Sequence, residues 1–439
     1  MTLMHGWLPV AVQILAVVAV VTAIGRRTRR WRLVWVPWSA LIGVVLAVAA
    51  YCYIASAGVA DDSNPAPHTL WVWIALSGFA FGVLVSGWRG ARWWRRTAAT
   101  LAVPLCVLSA ALVVNLWVGY FPTVQTAWNQ LTAGPLPDQT DAVTVAAMQK
   151  QHAMPVKGSL VAVDIPDTAS GFRHRQEWVY LPPAWYASDP PPALPTVMMI
   201  GGEFNTPADW LRAGGAARTL DAFAAAHGGY APVVVFVDPG GTFNNDTECV
   251  NGTRGNSADH LVKDVVPYMK SHFGVSSAAA NWGVVGWSMG GTCAVDLTVM
   301  HPEVFSAFVD IAGDAAPNAG TQAETVDRLF GGDTAAYTSF DPTAVMTRHG
   351  PYRGVAGWFD VNGAVAVSAT AQPNDQAVAA SSLCATGGRS GIDCAVVSQP
   401  GNHDWPFAST AFTSALPWLA GRIGTPGVPQ IDLPRTVSG

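Results

Sequence analysis

Half of the 439 residues are hydrophobic and 12% are charged, too apolar a balance for a simple soluble enzyme. The formal net charge is −5, and basic residues cluster only between the apolar stretches near the N-terminus, so nothing supports nucleic-acid binding. The length allows a large domain plus an appendage.

The apolar excess falls in residues 1–120. Four stretches there lack Asp, Glu, Lys and Arg: Trp7–Ile24, Leu33–Val59, Leu70–Trp88 and Ala98–Tyr120. Each is about long enough to cross a ~30 Å hydrocarbon core. The first carries its positive charges after the apolar run and shows no small-residue cleavage pattern, so it reads as a span and not as a signal peptide. Arg26, Arg27, Arg29, Arg30 and Arg32 separate the first two stretches, and Arg89, Arg92, Arg95 and Arg96 the last two, whereas the middle loop carries Asp61 and Asp62. Excess Arg marks cytoplasmic loops, which predicts that the N-terminus and everything after Tyr120 lie outside the cytoplasm. With no ionisable group inside a span, an anchor is expected and not an ion path. Trp88, Trp93 and Trp94 fit an interfacial aromatic belt.

Residues 121–158 read as a Pro-containing linker with a short helix near Asp141–Lys150, and 426–439 as a tail. Between them, over 159–425, strand and helix patterns alternate. Ser159–Ile165 and Gln176–Leu181 read as a hairpin. Thr196–Ile200, Val233–Val237, Asn281–Val285, Ala307–Ile311, Val355–Val361 and Cys394–Ser398 read as buried strands. Helices are expected at Leu211–Ala226, Ala258–His272 and Thr292–Met300. This order predicts an α/β domain with a mainly parallel sheet, helices on both faces, and functional residues at the carboxyl ends of the strands.

One run stands out: Gly286-Trp287-Ser288-Met289-Gly290-Gly291, between a strand pattern and a helix pattern. Gly-x-Ser-x-Gly in that context is the signature of a nucleophile elbow, whose tight turn needs small flanking residues. A serine hydroxyl needs a positioned base. The chain order Ser, acid, His leaves His301, His349 and His403. His301 ends the helix after the elbow, and His349 precedes Gly350-Pro351 in an expected loop. His403, in Gly401-Asn402-His403-Asp404-Trp405-Pro406 directly after the last strand, is the expected base. The acid is expected after Val355–Val361. Asp375, in Gln372-Pro373-Asn374-Asp375, is preferred over Asp360 within the strand, although Asp375 could equally cap the helix that follows. The backbone N–H groups of Met289 and Glu203 are the expected oxyanion donors, the latter in Gly201-Gly202-Glu203-Phe204-Asn205. Gly202, Phe204, Trp287 and Trp405 are expected to line the substrate. No cofactor or metal is called for: the Cys residues show no Cys-x-x-Cys spacing. An exported domain permits disulfides, and Cys384 with Cys394 then leaves Cys249 with Cys293.

Gly-x-Ser-Met-x-Gly, the stretch Asp246-Thr247-Glu248-Cys249, and Gly-x-His-x-Trp-Pro after the last strand resemble the esterase family that includes esterase D-type enzymes and the secreted mycobacterial mycolyltransferases. The resemblance covers roughly 159–425. It implies an α/β-hydrolase fold acting on acyl esters without a cofactor. The four spans are similar to those of actinobacterial membrane-anchored relatives. Where the mycolyltransferases have an Asp-Gly pair after the third strand, this chain has Gly201-Gly202, and where their acid is Glu, this chain offers Asp. The expected function is a membrane-anchored, extracytoplasmic serine esterase or acyltransferase on lipid or cell-envelope esters. The alternative is a catalytically idle hydrolase fold serving as a binding or assembly module.

Overall fold

The computed structural model describes residues 2–4, 6–25, 28–57, 66–132, 135–136, 138–152, 154–362 and 375–434. Arg26, Arg27, Asp61, Asp62 and the Gln372–Asn374 part of the acid loop lie outside the described residues. The chain divides into two units, Met1–Gly134 and Pro135–Gly439.

The first unit holds α1 (Trp7–Ile24), α2 (Val36–Ala57, entered through a π-turn at Trp31–Trp35), α3 (His68–Gly87), α4 (Trp93–Val118) and the short α5 (Val124–Leu131). The first four are long and apolar enough to cross a membrane. Their inward faces are mostly small, with Ala16, Ala19, Ala80 and Ala102 in the packed cluster, while Val18, Val44, Val85 and Leu101 face outward. Helix α4 starts before the uncharged stretch and takes in Arg95 and Arg96. Long basic side chains at a helix end keep their charge at the polar boundary, and here the two guanidinium groups lie over the rings of Trp94 and Trp88.

The second unit begins with β1 (Gln139–Thr140), α6 (Ala142–Lys150), β2 (Ser159–Val163), β3 (Glu177–Leu181) and β4 (Thr196–Ile200). Then come α7 (Asp209–Arg212), α8 (Ala216–Ala226), β5 (Val233–Val237), and a small hairpin of β6 (Asn251–Gly252) and β7 (Gly255–Asn256). Next are α9 (Ser257–Asp259), α10 (Val266–Phe273), β8 (Trp282–Trp287), α11 (Met289–Met300) and β9 (Ala307–Ile311). The chain continues through α12 (Gln322–Phe330), α13 (Thr334–Phe340), α14 (Pro342–His349), β10 (Ala356–Asn362), α15 (Asp375–Arg389), β11 (Asp393–Gln399) and α16 (Trp405–Arg422).

The main sheet has nine strands in the order β1-β2-β3-β5-β4-β8-β9-β10-β11. Only β3 runs against the others. The central strands β4, β5, β8 and β9 are buried at every position, which is why they read as unbroken apolar runs. The fold is the expected mainly parallel α/β sheet with helices.

Local details depart from expectation for physical reasons. Residues 135–150 are not plain linker: β1 pairs in parallel with β2, Gln139 opposite Leu160, and Asp141 caps α6 by accepting from the Thr144 N–H at 2.8 Å. The helix expected at Leu211–Ala226 breaks into α7 and α8, because Gly215 takes the left-handed conformation at φ +62°. The helix expected at Ala258–His272 carries a π-turn at His260–Val265. His349 ends α14 and is not in a loop. Both expected cystine pairs are present: Cys249–Cys293 ties the β5–β6 connection to α11, and Cys384–Cys394 ties α15 to β11.

Candidate active site

Strand β8 delivers the chain into α11 through a single residue, Ser288, at φ +57°. A non-Gly residue there is strained, and such strain persists only where the surroundings over-determine it. Here the Ser288 N–H donates to the Ile311 carbonyl at 2.8 Å, and the Ser288 carbonyl accepts from Gly291 at 2.7 Å. The turn is so tight that a Cβ on Gly286 would overlap the Gly290 carbonyl. The Ser288 hydroxyl is thereby held clear of the strand at the head of α11.

His403 lies in the loop between β11 and α16, and its Nε2 stands 3.0 Å from Ser288 Oγ. Asp404, next in sequence, caps α16 by accepting from the Phe407 N–H at 3.0 Å, so its carboxylate is committed to the helix. The other late histidines stay away from the serine: His301 pairs with Glu303, and His349 stacks on Tyr352.

On the far side of the imidazole, the Gln376 carboxamide meets His403 Nδ1 at 3.3 Å. Gln376 is in the first turn of α15 and is nearly buried. Asp375, the expected acid, is the first residue of that helix, and its side chain is exposed. A carboxylate there is also favoured by the helix dipole. The two ends of a carboxamide interchange by rotation. With the Gln376 oxygen toward Nδ1, the imidazole keeps its proton on Nδ1 and turns the Nε2 lone pair to the serine. Asp360, the other candidate, is fully buried and accepts from Gln399 at 2.7 Å and Trp358 at 3.2 Å. Burial pushes its pKa up to about 6.

Strand β4 ends against the elbow. A Cβ on Gly202 would stand 3.2 Å from the Ser288 Cβ, a tight contact that would push against the elbow. The Gly202 N–H is taken by Asn205 Oδ1 at 2.9 Å, and the Asn205 N–H closes the turn onto the Gly202 carbonyl at 3.2 Å. The N–H groups of Glu203 and Phe204 meet no acceptor among the described residues. Met289 opens α11, where the first N–H groups have no intrahelical partner. Burial and the nearby Asp246 push the Glu203 carboxyl up to about 8, against the opposing pull of Arg254. Burial likewise raises Asp246 and Glu248. The gathering of these buried carboxyls beside Glu203 is a tertiary feature.

The expected lining residues divide. Phe204, at φ +64°, faces the exposed Phe243 ring at 5.4 Å between centroids. Trp405 is 1% exposed and wedged between Trp287 and Trp210. Trp405 therefore packs behind Trp287, a correction to its expected role as lining. Trp287, also nearly buried, packs against the His403 ring at 5.4 Å.

One group of metal-ligating side chains among the described residues draws together: His174, Glu177 and His260, with ligand atoms within 4.8 Å. Most of their polar atoms have protein partners, while Glu177 Oε2 is buried with no hydrogen bond among the described residues, 3.6 Å from His174 Nδ1. His174 sets Nε2 against the Ile165 carbonyl at 2.7 Å and Nδ1 against the Arg175 carbonyl at 3.0 Å. Two carbonyl oxygens only accept, so the imidazolium satisfies both. Burial lowers its pKa, but Glu177 and these carbonyls outweigh burial and hold it above the ordinary value. His260 bridges Glu177 at 3.1 Å and Asp264 at 3.4 Å. The arrangement is a buried hydrogen-bonded network of imidazoles and carboxylates.

Residues 173–416 match the family model described as putative esterase. An uncharacterized protein of Corynebacterium glutamicum is 29% identical over 377 residues, covering 82% of this chain and 83% of its own. That share exceeds the Pro135–Gly439 unit, so the likeness reaches into the N-terminal helices. Among solved structures, an S-formylglutathione hydrolase from Agrobacterium tumefaciens superposes with a TM-score of 0.50 at 18% identity, over 62% of this chain and 97% of that one. Mycobacterium tuberculosis MPT51 gives a TM-score of 0.38 at 18% identity, over 60% and 100%. The chain belongs to the putative esterase family.

Proposed function

We propose that this protein is a membrane-anchored serine esterase or acyltransferase whose esterase domain faces the outside of the cytoplasmic membrane. The observation that carries the catalytic part is the 3.0 Å approach of His403 Nε2 to Ser288 Oγ. His403 takes the hydroxyl proton as Ser288 attacks an ester carbonyl. The oxyanion that forms is met by the N–H groups of Met289 and Glu203, with Phe204 beside them. Gln376, in the first turn of α15, orients the imidazole from the Nδ1 side, and the exposed Asp375 beside it adds a negative charge at the head of that helix. Collapse of the tetrahedral intermediate expels the alcohol, which takes the proton from His403, and leaves an acyl group on Ser288. Water or a second alcohol then receives the acyl group by the same steps in reverse.

The Arg-rich connections before α2 and before α4 support the outward orientation. Four apolar helices confine the enzyme to a bilayer, which favours lipid or cell-envelope esters as substrates.

The test is hydrolysis of a short p-nitrophenyl ester by the full-length protein in detergent micelles, wild type beside Ser288→Ala, with fluorophosphonate labelling in parallel. Turnover and labelling that vanish together in the variant support the reading. An unlabelled, inactive wild type overturns it and leaves a binding module of the envelope as the alternative.

A further inference from the structure

The turn that carries the proposed oxyanion donors is held from outside the site. Arg175, just before β3, sends its Nη2 to the Asn205 carbonyl at 2.7 Å. The same guanidinium grips Asp238 by a two-point fork, Nη2 to Oδ1 at 2.6 Å and Nε to Oδ2 at 3.0 Å. Asp238 follows β5 directly and is fully buried. Its own N–H donates to Glu177 Oε1 at 2.9 Å, and Glu177 is in turn held by His260 at 3.1 Å. The guanidinium is therefore anchored at a fixed point in the sheet, while one of its N–H groups reaches across to the loop after β4.

Asn205 is the keystone of that loop. Its side chain takes the Gly202 N–H, its backbone N–H closes on the Gly202 carbonyl, and its carbonyl is the atom Arg175 holds. Inside this closed turn stand Glu203 and Phe204, the latter in a left-handed conformation that a Phe does not choose unaided. An Arg fork suits the task because its planar donors satisfy the carboxylate and the carbonyl at once; a Lys ammonium has one charge centre and no fixed plane.

We propose that Arg175, held by Asp238, is a positioning residue for the oxyanion turn Gly202–Asn205. The inference rests on the esterase reading above. It predicts that Arg175 acts on transition-state binding and leaves ground-state binding alone, because it touches the donors' loop and not the acyl group.

The experiment compares full-length wild type, Arg175→Ala, Arg175→Lys, Asp238→Asn and Ser288→Ala in micelles. Arg175→Ala is expected to lose about a hundredfold in kcat with KM within about twofold, the scale of losing one oxyanion donor. Affinity for an alkyl boronic acid, which forms a tetrahedral adduct on serine, falls by a similar factor. Added ethylguanidine restores part of the kcat in Arg175→Ala and none in Ser288→Ala. Arg175→Lys and Asp238→Asn fall between wild type and Arg175→Ala. Hydrogen exchange of the Gly202 and Asn205 amides quickens in Arg175→Ala while the β8 amides stay protected. Unchanged kcat in Arg175→Ala, beside a dead Ser288→Ala, sinks the role of Arg175 alone. A wild type with no Ser288-dependent turnover sinks the esterase reading. Unchanged exchange at 202 and 205 overturns the positioning whatever the turnover.

Discussion

The two units differ in where their large apolar side chains go. In the N-terminal helices small residues such as Ala16 and Cys106 are fully enclosed beside a few large ones such as Leu70 and Trp73, while many large apolar side chains point out. In the esterase unit the inside is large, with Trp210, Trp282, Phe305 and Phe308 among the most enclosed. Even carboxyl groups are buried there: Asp296, Asp310 and Asp360. The difference follows from the solvent each surface meets. Lipid tails offer helices no hydrophobic gain from clustering, so close packing of small residues holds them together. Water drives large side chains inward, and the resulting core encloses a few polar groups, some hydrogen-bonded and some, such as the two Asp296 oxygens, with no hydrogen-bond partner among the described residues. Asp310, by contrast, accepts from the Gly313 N–H at 2.7 Å, while burial holds its pKa up at about 7.

This contrast can be broken from either side. The largest expected effect is on catalysis alone: Ser288→Ala lowers ester turnover by at least about a thousandfold, with the far-ultraviolet spectrum and melting of the protein unchanged. Next is the stability of the esterase unit. In the chain-entropy view, removing Cys249–Cys293, whose partners are 44 positions apart, costs about 4 kcal/mol, and removing Cys384–Cys394, 10 positions apart, about 3 kcal/mol. Urea melts of the Cys→Ser pairs, read by tryptophan fluorescence, check the order. A reversed order would mean that native contacts outweigh loop closure.

The membrane side is tested at Gly43, where a Cβ would overlap the Ala75 carbonyl of the neighbouring α3. Gly43→Leu is expected to cost about 1–3 kcal/mol of helix packing. Detergent-resistance assays should show the loss while p-nitrophenyl ester turnover persists. If turnover drops equally, the two units are energetically coupled.

The smallest effect is a change in pH profile. Glu203 has a raised folded pKa of about 8, so the carboxyl is neutral below that pH and becomes a carboxylate as pH rises through it. A negative charge arriving beside the oxyanion turn opposes the developing oxyanion. Turnover should therefore fall above about pH 8 in the wild type, and Glu203→Gln should flatten that limb. An unaltered limb in the variant would assign it to another group.

How much of this was legible beforehand depended on sequence distance. The central strands could be read because burial on both faces leaves an unbroken apolar run, as in Val233–Val237. Ser288 and His403 stood out because each sits in a glycine-flanked turn directly after such a run. Asp375 was legible as a candidate, but not which residue of the first turn of α15 meets His403. Successive helical residues point about 100° apart, so a shift of one position exchanges an exposed Asp375 for a nearly buried Gln376. The Arg175–Asp238 fork left no local trace: its partners are 63 residues apart, and neither stands in a recognisable motif. The short helix at Ala142–Lys150 is legible in the sequence, whereas β1 is not, because a two-residue strand is too short to show a period.

That two-residue strand has a practical consequence. By pairing with Leu160 and Val161, β1 covers part of the outer edge of β2. A bare strand edge is a template for pairing with another chain. A water-soluble form of the enzyme that begins at Ser159, where the sheet seems to start on paper, would expose that edge and invite chains to zip together. Cut instead ahead of Leu136, the same domain keeps its own selvedge.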